Sequence, residues 1–315
     1  MRWSTTKLPG PIRNGDTVNR HTASIARPAN TGGLPKLSPM TPIRQLLNLP
    51  EIPRHEAERL LAVAAGRTRQ QILGEAEVDA GAVQRYLDLV RKRLAGVPLQ
   101  HLEGTVQFGP IEMRTDRRAL VPRPETEQLW EEAVTALGEA GSGTVIVDLC
   151  TGSGNLALAL KHRFPLAQVY ATDLSGEALL LAKENAAALQ LDVSFLQGDL
   201  FAPLPIELYE RVDLLVANPP YVTEAEFDHL PADVRDHDPR RALVAGPHGD
   251  EVLAQIAADA YWWMGTGGWL FCEIGETQSE RALELFGTYL DVEVRADLAG
   301  RPRMLVGRKG GRCCV

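Results

Sequence analysis

Val145-Ile146-Val147-Asp148-Leu149-Cys150-Thr151-Gly152-Ser153-Gly154 is an apolar run, broken only by Asp148, that ends in a glycine-rich turn; the helical stretch Leu156-Ala157-Leu158-Ala159-Leu160 follows at once. A strand passed to a helix through such a turn opens a βαβ unit, because glycine permits a left-handed backbone and a close approach to a ligand. The pattern repeats outward from it. Strands are expected at Gln168 to Ala171, Val193 to Leu196 and Val212 to Ala217, with a helix from Gly176 to Leu189. Downstream come a helix over Val252 to Met264, a strand over Gly268 to Ile274, a helix over Ser279 to Tyr289, and a closing pair at Asp291 to Ala296 and Arg303 to Gly307. Alternating strands and helices of these lengths predict a doubly wound α/β domain over residues 121–308.

Upstream the texture changes twice. Residues 40–97 carry Leu46, Leu47, Leu60, Leu61, Ile72, Leu73, Tyr86, Leu87 and Val90 at helical spacing, which predicts a small helical domain. Residues 98–120 turn to short alternating runs, Thr105-Val106-Gln107-Phe108 and Ile111-Glu112-Met113 around Gly109-Pro110, read as a β-hairpin linker. Residues 1–39 are rich in Thr, Asn, Arg, Gly and Pro with Asp16 as their only acid, and are expected to be a disordered extension. Pro and Gly spoil the amphipathic helix of an organelle transit peptide, and Met40 offers a second possible start of translation. Residues 309–315 read as a flexible tail.

The formal net charge of −8 and a pI near 5.5 argue against a broad basic surface for nucleic acid. No apolar stretch is long enough to span a bilayer, so a cytoplasmic protein is expected. None of the four cysteines has metal-ligand spacing; Cys150 and Cys272 read as inert thiols at strand ends, and Cys313-Cys314 as tail. No metal is expected.

Four strand ends carry the chemistry. The first supplies Cys150, Thr151, Gly152, Ser153 and Gly154. Asp173 ends the second, where a βαβ unit places the acid that grips ribose hydroxyls, although it could also cap the next helix. The turn lacks the full Gly-x-Gly-x-x-Gly and has no Lys-Ser/Thr ending, so a nucleoside without phosphate, S-adenosylmethionine, fits better than a dinucleotide. At the third end, Asp199 could accept from the adenine amino group while Leu200 packs on the ring. Asn218-Pro219-Pro220-Tyr221 ends the fourth. Proline fixes φ and restricts the residue before it, so the Asn218 side chain and neighbouring carbonyls can converge on a planar NH2 group beside Tyr221. A strand-ending turn with a packed tyrosine is the plain alternative.

The chain resembles the HemK/PrmC family, the peptide chain release factor N(5)-glutamine methyltransferases. The resemblance covers about residues 53–308 and rests on Val121-Pro122-Arg123-Pro124-Glu125-Thr126-Glu127, Pro98-Leu99-Gln100-His101 with Phe108, Asn218-Pro219-Pro220-Tyr221, Glu273-Ile274-Gly275 and Asp297-Leu298-Ala299-Gly300-Arg301. It implies a seven-stranded, Rossmann-like S-adenosylmethionine-dependent methyltransferase domain that methylates the glutamine amide of the release factor's Gly-Gly-Gln motif. Implied site residues are Cys150 to Gly154, Asp173, Asp199, Leu200 and Asn218 for the cofactor. Asn218, Pro219, Pro220, Tyr221 and Phe108 are implied for substrate, with Asn218, Pro219 and Tyr221 catalytic. The helical domain would dock the factor, and a monomer without stable nucleic-acid binding is expected. Two departures are Cys150, where the family usually shows glycine, and Leu200, where an aromatic is common. An adenine-N(6) methyltransferase and a small-molecule N-methyltransferase are the rival readings. Glu125 and Glu127 are expected to be structural, and His237 a loop contact rather than a base.

Overall fold

The computed structural model describes residues 40–287 and 290–310. The 1–39 extension, Tyr289 and Cys313-Cys314 lie outside the described residues. The described residues group as one unit.

A seven-stranded sheet forms the centre: β1 (Val145–Leu149), β2 (Gln168–Asp173), β3 (Ser194–Gln197), β4 (Val212–Ala217), β5 (Met264–Glu273), β6 (Asp291–Ala296) and β7 (Pro302–Arg308), in the spatial order β6-β7-β5-β4-β1-β2-β3. All run parallel except β7, which lies antiparallel between β5 and β6. The order reverses at β1 and β4, so the carboxyl ends of these two strands open the crevice where such sheets hold ligands.

Alternate residues of each central strand face opposite layers. Ile146, Leu214 and Val216 join one buried cluster with Leu129 and Leu156, while Val147, Leu149 and Leu215 join another with Leu253, Ile256 and Phe286. Two buried faces explain why these strands read as unbroken apolar runs. The first cluster is closed by α3 (Pro124–Leu137) and α4 (Asn155–Arg163), the second by α6 (Glu251–Trp263) and α7 (Ser279–Phe286); α5 (Gly176–Leu189) follows β2. The long strand β5 shifts register between Met264 and Trp269, and so begins before the expected Gly268.

The amino-terminal part has its own core. Helices α1 (Arg54–Ala65) and α2 (Ala80–Leu94) pack Leu60, Leu61, Val83 and Tyr86 together, and the buried Tyr86 hydroxyl donates to the Leu46 carbonyl at 2.8 Å. This part is not purely helical: Met40–Pro42 pairs antiparallel with Glu77–Asp79. The linker likewise begins with a short helix, Leu99–Glu103, before its hairpin, Thr105–Phe108 with Ile111–Arg114. Asn185 on α5 ties that hairpin to the glycine turn: its Oδ1 accepts from Arg114 N at 2.8 Å, and its Nδ2 donates to the Arg114 and Ser153 carbonyls.

Candidate functional site

The carboxyl ends of β1, β2, β3 and β4 surround one cavity of about 500 Å³. The turn after β1 gives Cys150, Thr151, Gly152 and Ser153; β2 gives Asp173; the segment after β3 gives Asp199 and Leu200; β4 leads to Asn218 and Pro220. Gly154 stands behind this wall. Its φ is +86°, and a Cβ there would lie 3.1 Å from Leu158 Cδ1 and 3.2 Å from Ala182 Cβ, so it lets α4 and α5 approach rather than lining the cavity. Cys150 and Leu200 hold φ values of 58° and 42°. This left-handed region costs an L-residue about 1 kcal/mol, which is the physical reason glycine suits the first position. Burial pushes the Cys150 thiol well up, so it is inert.

Asp148 is fully buried inside the otherwise apolar β1. Thr151 Oγ1 and Ala157 N both donate to its Oδ2, whereas its Oδ1 has no partner among the described residues. Burial pushes its carboxyl up to about 7. Ser153 Oγ and Thr172 Oγ1, also on the cavity lining, are likewise buried without partners. Buried polar atoms without partners are rare, and these three belong to residues that border the cavity.

Asp173 already accepts from Gly152 N at 2.8 Å through Oδ2 and from Ser175 N at 2.7 Å through Oδ1. It thus braces the turn and the Ser175 backbone, but it is not the helix cap: Ser175 is, its Oγ accepting from Ala178 N at 3.3 Å. A carboxylate offers about four lone-pair sites, so it can still receive two donors. Burial raises its pKa, and the two backbone bonds oppose the rise.

The Arg-Pro-Glu-Thr-Glu run is the first turn of α3, with Pro124 at the first helical position, where its missing N–H costs nothing. Its next three residues reach three different elements. Glu125 pairs with Arg301 at 2.9 Å; Glu127 Oε1 accepts from Gly109 N of the hairpin at 2.7 Å; Thr126 Oγ1 donates to Glu273 Oε2 at 2.7 Å. Asn218 Nδ2 in turn donates to Thr126 Oγ1 at 3.0 Å, and the Tyr221 hydroxyl donates to Glu273 Oε1 at 3.4 Å. Burial raises the Glu273 pKa and pushes Tyr221 up to about 12.

Three residues expected to bind substrate do not line this cavity. Phe108 is 1% exposed and packs in the core with Ile111, Met113 and Leu129; it does not reach the cavity, because the hairpin turns this face toward α3. Pro219 is buried, and Tyr221 lies off the cavity lining with its ring 5.6 Å from the Arg303 guanidinium. His237 approaches Gly96 of the amino-terminal part, and its neighbour Asp238 accepts from Arg123 Nη2 at 2.6 Å and from Val121 N at 3.4 Å. That buried aspartate ties the loop after the tetrapeptide to the segment before α3. Sequence reading assigned no role to Thr126, Glu273, Asp148 or Asp238. For Asp148 and Glu273 a signal existed: a charge inside or ending an apolar strand.

Among the described residues no helix is long and apolar enough to cross a membrane, and no group of acids, histidines and cysteines has the arrangement of a metal site. A family model described as methyltransferase small domain matches residues 132–233, and one described as PrmC N-terminal domain matches residues 43–104. The release factor glutamine methyltransferase of Mycolicibacterium smegmatis is 42% identical over 266 residues, covering 82% of this chain and 92% of that protein. The enzyme of the same name from Deinococcus radiodurans is 42% identical over 262 residues, with the same coverage, and that from Moorella thermoacetica 41% over 260 residues, covering 80% and 90%.

Proposed function

The chain belongs to the release factor glutamine methyltransferases, and on that premise we propose that its cavity takes S-adenosylmethionine and methylates the side-chain amide nitrogen of the Gly-Gly-Gln glutamine in a peptide chain release factor. The observation that carries this reading is Asn218, which lies on the cavity wall beside the glycine turn and has its donor group already engaged by Thr126.

The residues present fit the cofactor. Asp148, Ser153 and Thr172, which border the cavity, each hold a buried polar atom without a partner among the described residues, and the carboxylates of Asp173 and Asp199 on the lining oppose a pyrophosphate but suit a cation. When bound, S-adenosylmethionine supplies an electrophilic methyl group on a positively charged sulfur. The turn from Cys150 to Ser153, backed by Gly154, would hold its amino-acid part, Asp173 would accept from the ribose hydroxyls, and Asp199 would accept from the adenine amino group while Leu200 packs on the ring.

The amide lone pair is delocalised into its carbonyl, so the task of the chain is positioning. Asn218 Oδ1 and the Pro219 carbonyl would each accept one N–H of the glutamine amide, which aims the nitrogen and favours its pyramidalisation. The paired prolines make those acceptors rigid. No strong base is required, because the methylated amide is cationic and loses its proton to solvent. Residues 40–97 would dock the factor and orient its loop. A cytoplasmic monomer without stable nucleic-acid binding completes the proposal.

The test is incubation with labelled S-adenosylmethionine and release factor carrying Gly-Gly-Gln or Gly-Gly-Ala. Label on the glutamine form alone is expected. Equal label on both, no label on either, or label on adenine in added DNA or RNA overturns the reading.

A further inference from the structure

We propose that Thr126 and Glu273 are positioning residues that set which face of the Asn218 amide is shown to the substrate. The inference rests on the function proposed above and follows from counting protons. Thr126 is 1% exposed, so its one hydroxyl hydrogen must be placed within the protein. Glu273 Oε2, 2.7 Å away, is an acceptor only while ionised, and it takes that hydrogen. The hydroxyl oxygen is then an acceptor only, and it takes Asn218 Nδ2–H at 3.0 Å. Asn218 Oδ1 is thereby held on the other side of the amide, as the acceptor an incoming N–H requires. Remove the carboxylate or the hydroxyl and the amide is free to rotate by half a turn. It would then present N–H against N–H.

Glu273 also accepts from Tyr221 on its second oxygen, and faces Arg303 and Glu125. Protonated, it would donate to Thr126, release the threonine hydrogen toward Asn218, and reverse the relay. Activity should therefore fall in acid, along a limb that lies above the ordinary carboxylate range because burial raises this group.

The experiment compares wild type, T126V, T126S and E273Q with the Gly-Gly-Gln factor, measuring kcat and KM across pH, together with calorimetric binding of S-adenosylhomocysteine. T126V is expected to lose about 30-fold or more in kcat/KM while S-adenosylhomocysteine binds within about fivefold of wild type. T126S, which keeps the hydroxyl, should return to within about threefold of wild type, and E273Q should lose the acid limb. T126S as impaired as T126V, T126V matching wild type, or an unchanged acid limb in E273Q overturns the relay while leaving the proposed function standing. Absence of label from wild type itself removes both. Should T126V fail to fold, E273Q, of unchanged volume, carries the decision through its pH profile.

Discussion

Replacing Asp148 by Asn should stabilise the ligand-free protein at alkaline pH and weaken cofactor binding. The carboxyl is fully buried, and its pKa stands at about 7 against an ordinary 3.8. A group whose folded pKa is raised contributes stability that is fully present below its unfolded value and is lost as pH rises through the folded one. Across the whole window the rise from 3.8 to about 7 corresponds to about 4 kcal/mol. Between about pH 5.5 and about pH 8.5, wild type should lose about 2 kcal/mol through this group. D148N should not, since its amide oxygen can still accept from Thr151 and Ala157 and never ionises. Its NH2 would replace the unpartnered Oδ1 of a residue that borders the cavity, putting a donor where the ionised carboxyl has an acceptor. The assay is urea unfolding of both proteins at the two pH values, with S-adenosylmethionine titrated by calorimetry at the higher one. The difference between variant and wild type should grow in favour of the variant as pH rises, while its cofactor affinity falls about tenfold. A difference that does not change with pH would show that Asp148 is ionised in the folded protein throughout.

Gly154→Ala forces a Cβ against Leu158 and Ala182 at a left-handed φ, and should lower stability by about 1–3 kcal/mol, read from the urea midpoint. Phe108→Ala should cost about 3 kcal/mol by the same measurement, yet leave kcat/KM of the folded enzyme within about threefold, because the ring is core and not substrate wall. Asp238→Asn releases the loop after the tetrapeptide from Arg123 and Val121, and should speed amide exchange in residues 224–243 by about tenfold, seen by mass spectrometry.

The fold was legible because parallel strands buried on both faces are written as apolar runs, and each ligand-side residue ends one of them. Asp173, Asn218 and the glycine turn were expected at such strand ends, and residues of all three border one cavity. The segment of residues 224–243 was not, since its helices Glu224–Phe227, Ala232–Arg235 and Arg240–Leu243 are single turns too short to show a period. Phe108 entered the substrate set through the family resemblance alone; its place in the core with Ile111, Met113 and Leu129 follows from packing that the sequence does not show. Thr126 and Glu273 lie 147 residues apart, so their hydrogen bond exists only once α3 crosses the end of β5. The raised carboxyls of Asp148 and Glu273 are likewise products of burial.

Tandem mass spectrometry of release factor treated with the protein and S-adenosylmethionine tests the central claim most directly, because it places the methyl group on an atom. One methyl group on the side-chain nitrogen of the Gly-Gly-Gln glutamine, absent when Asn218 is replaced by Asp, is the result expected. A methyl group on any other residue of the factor, or the same methylation with the N218D variant, would contradict the account.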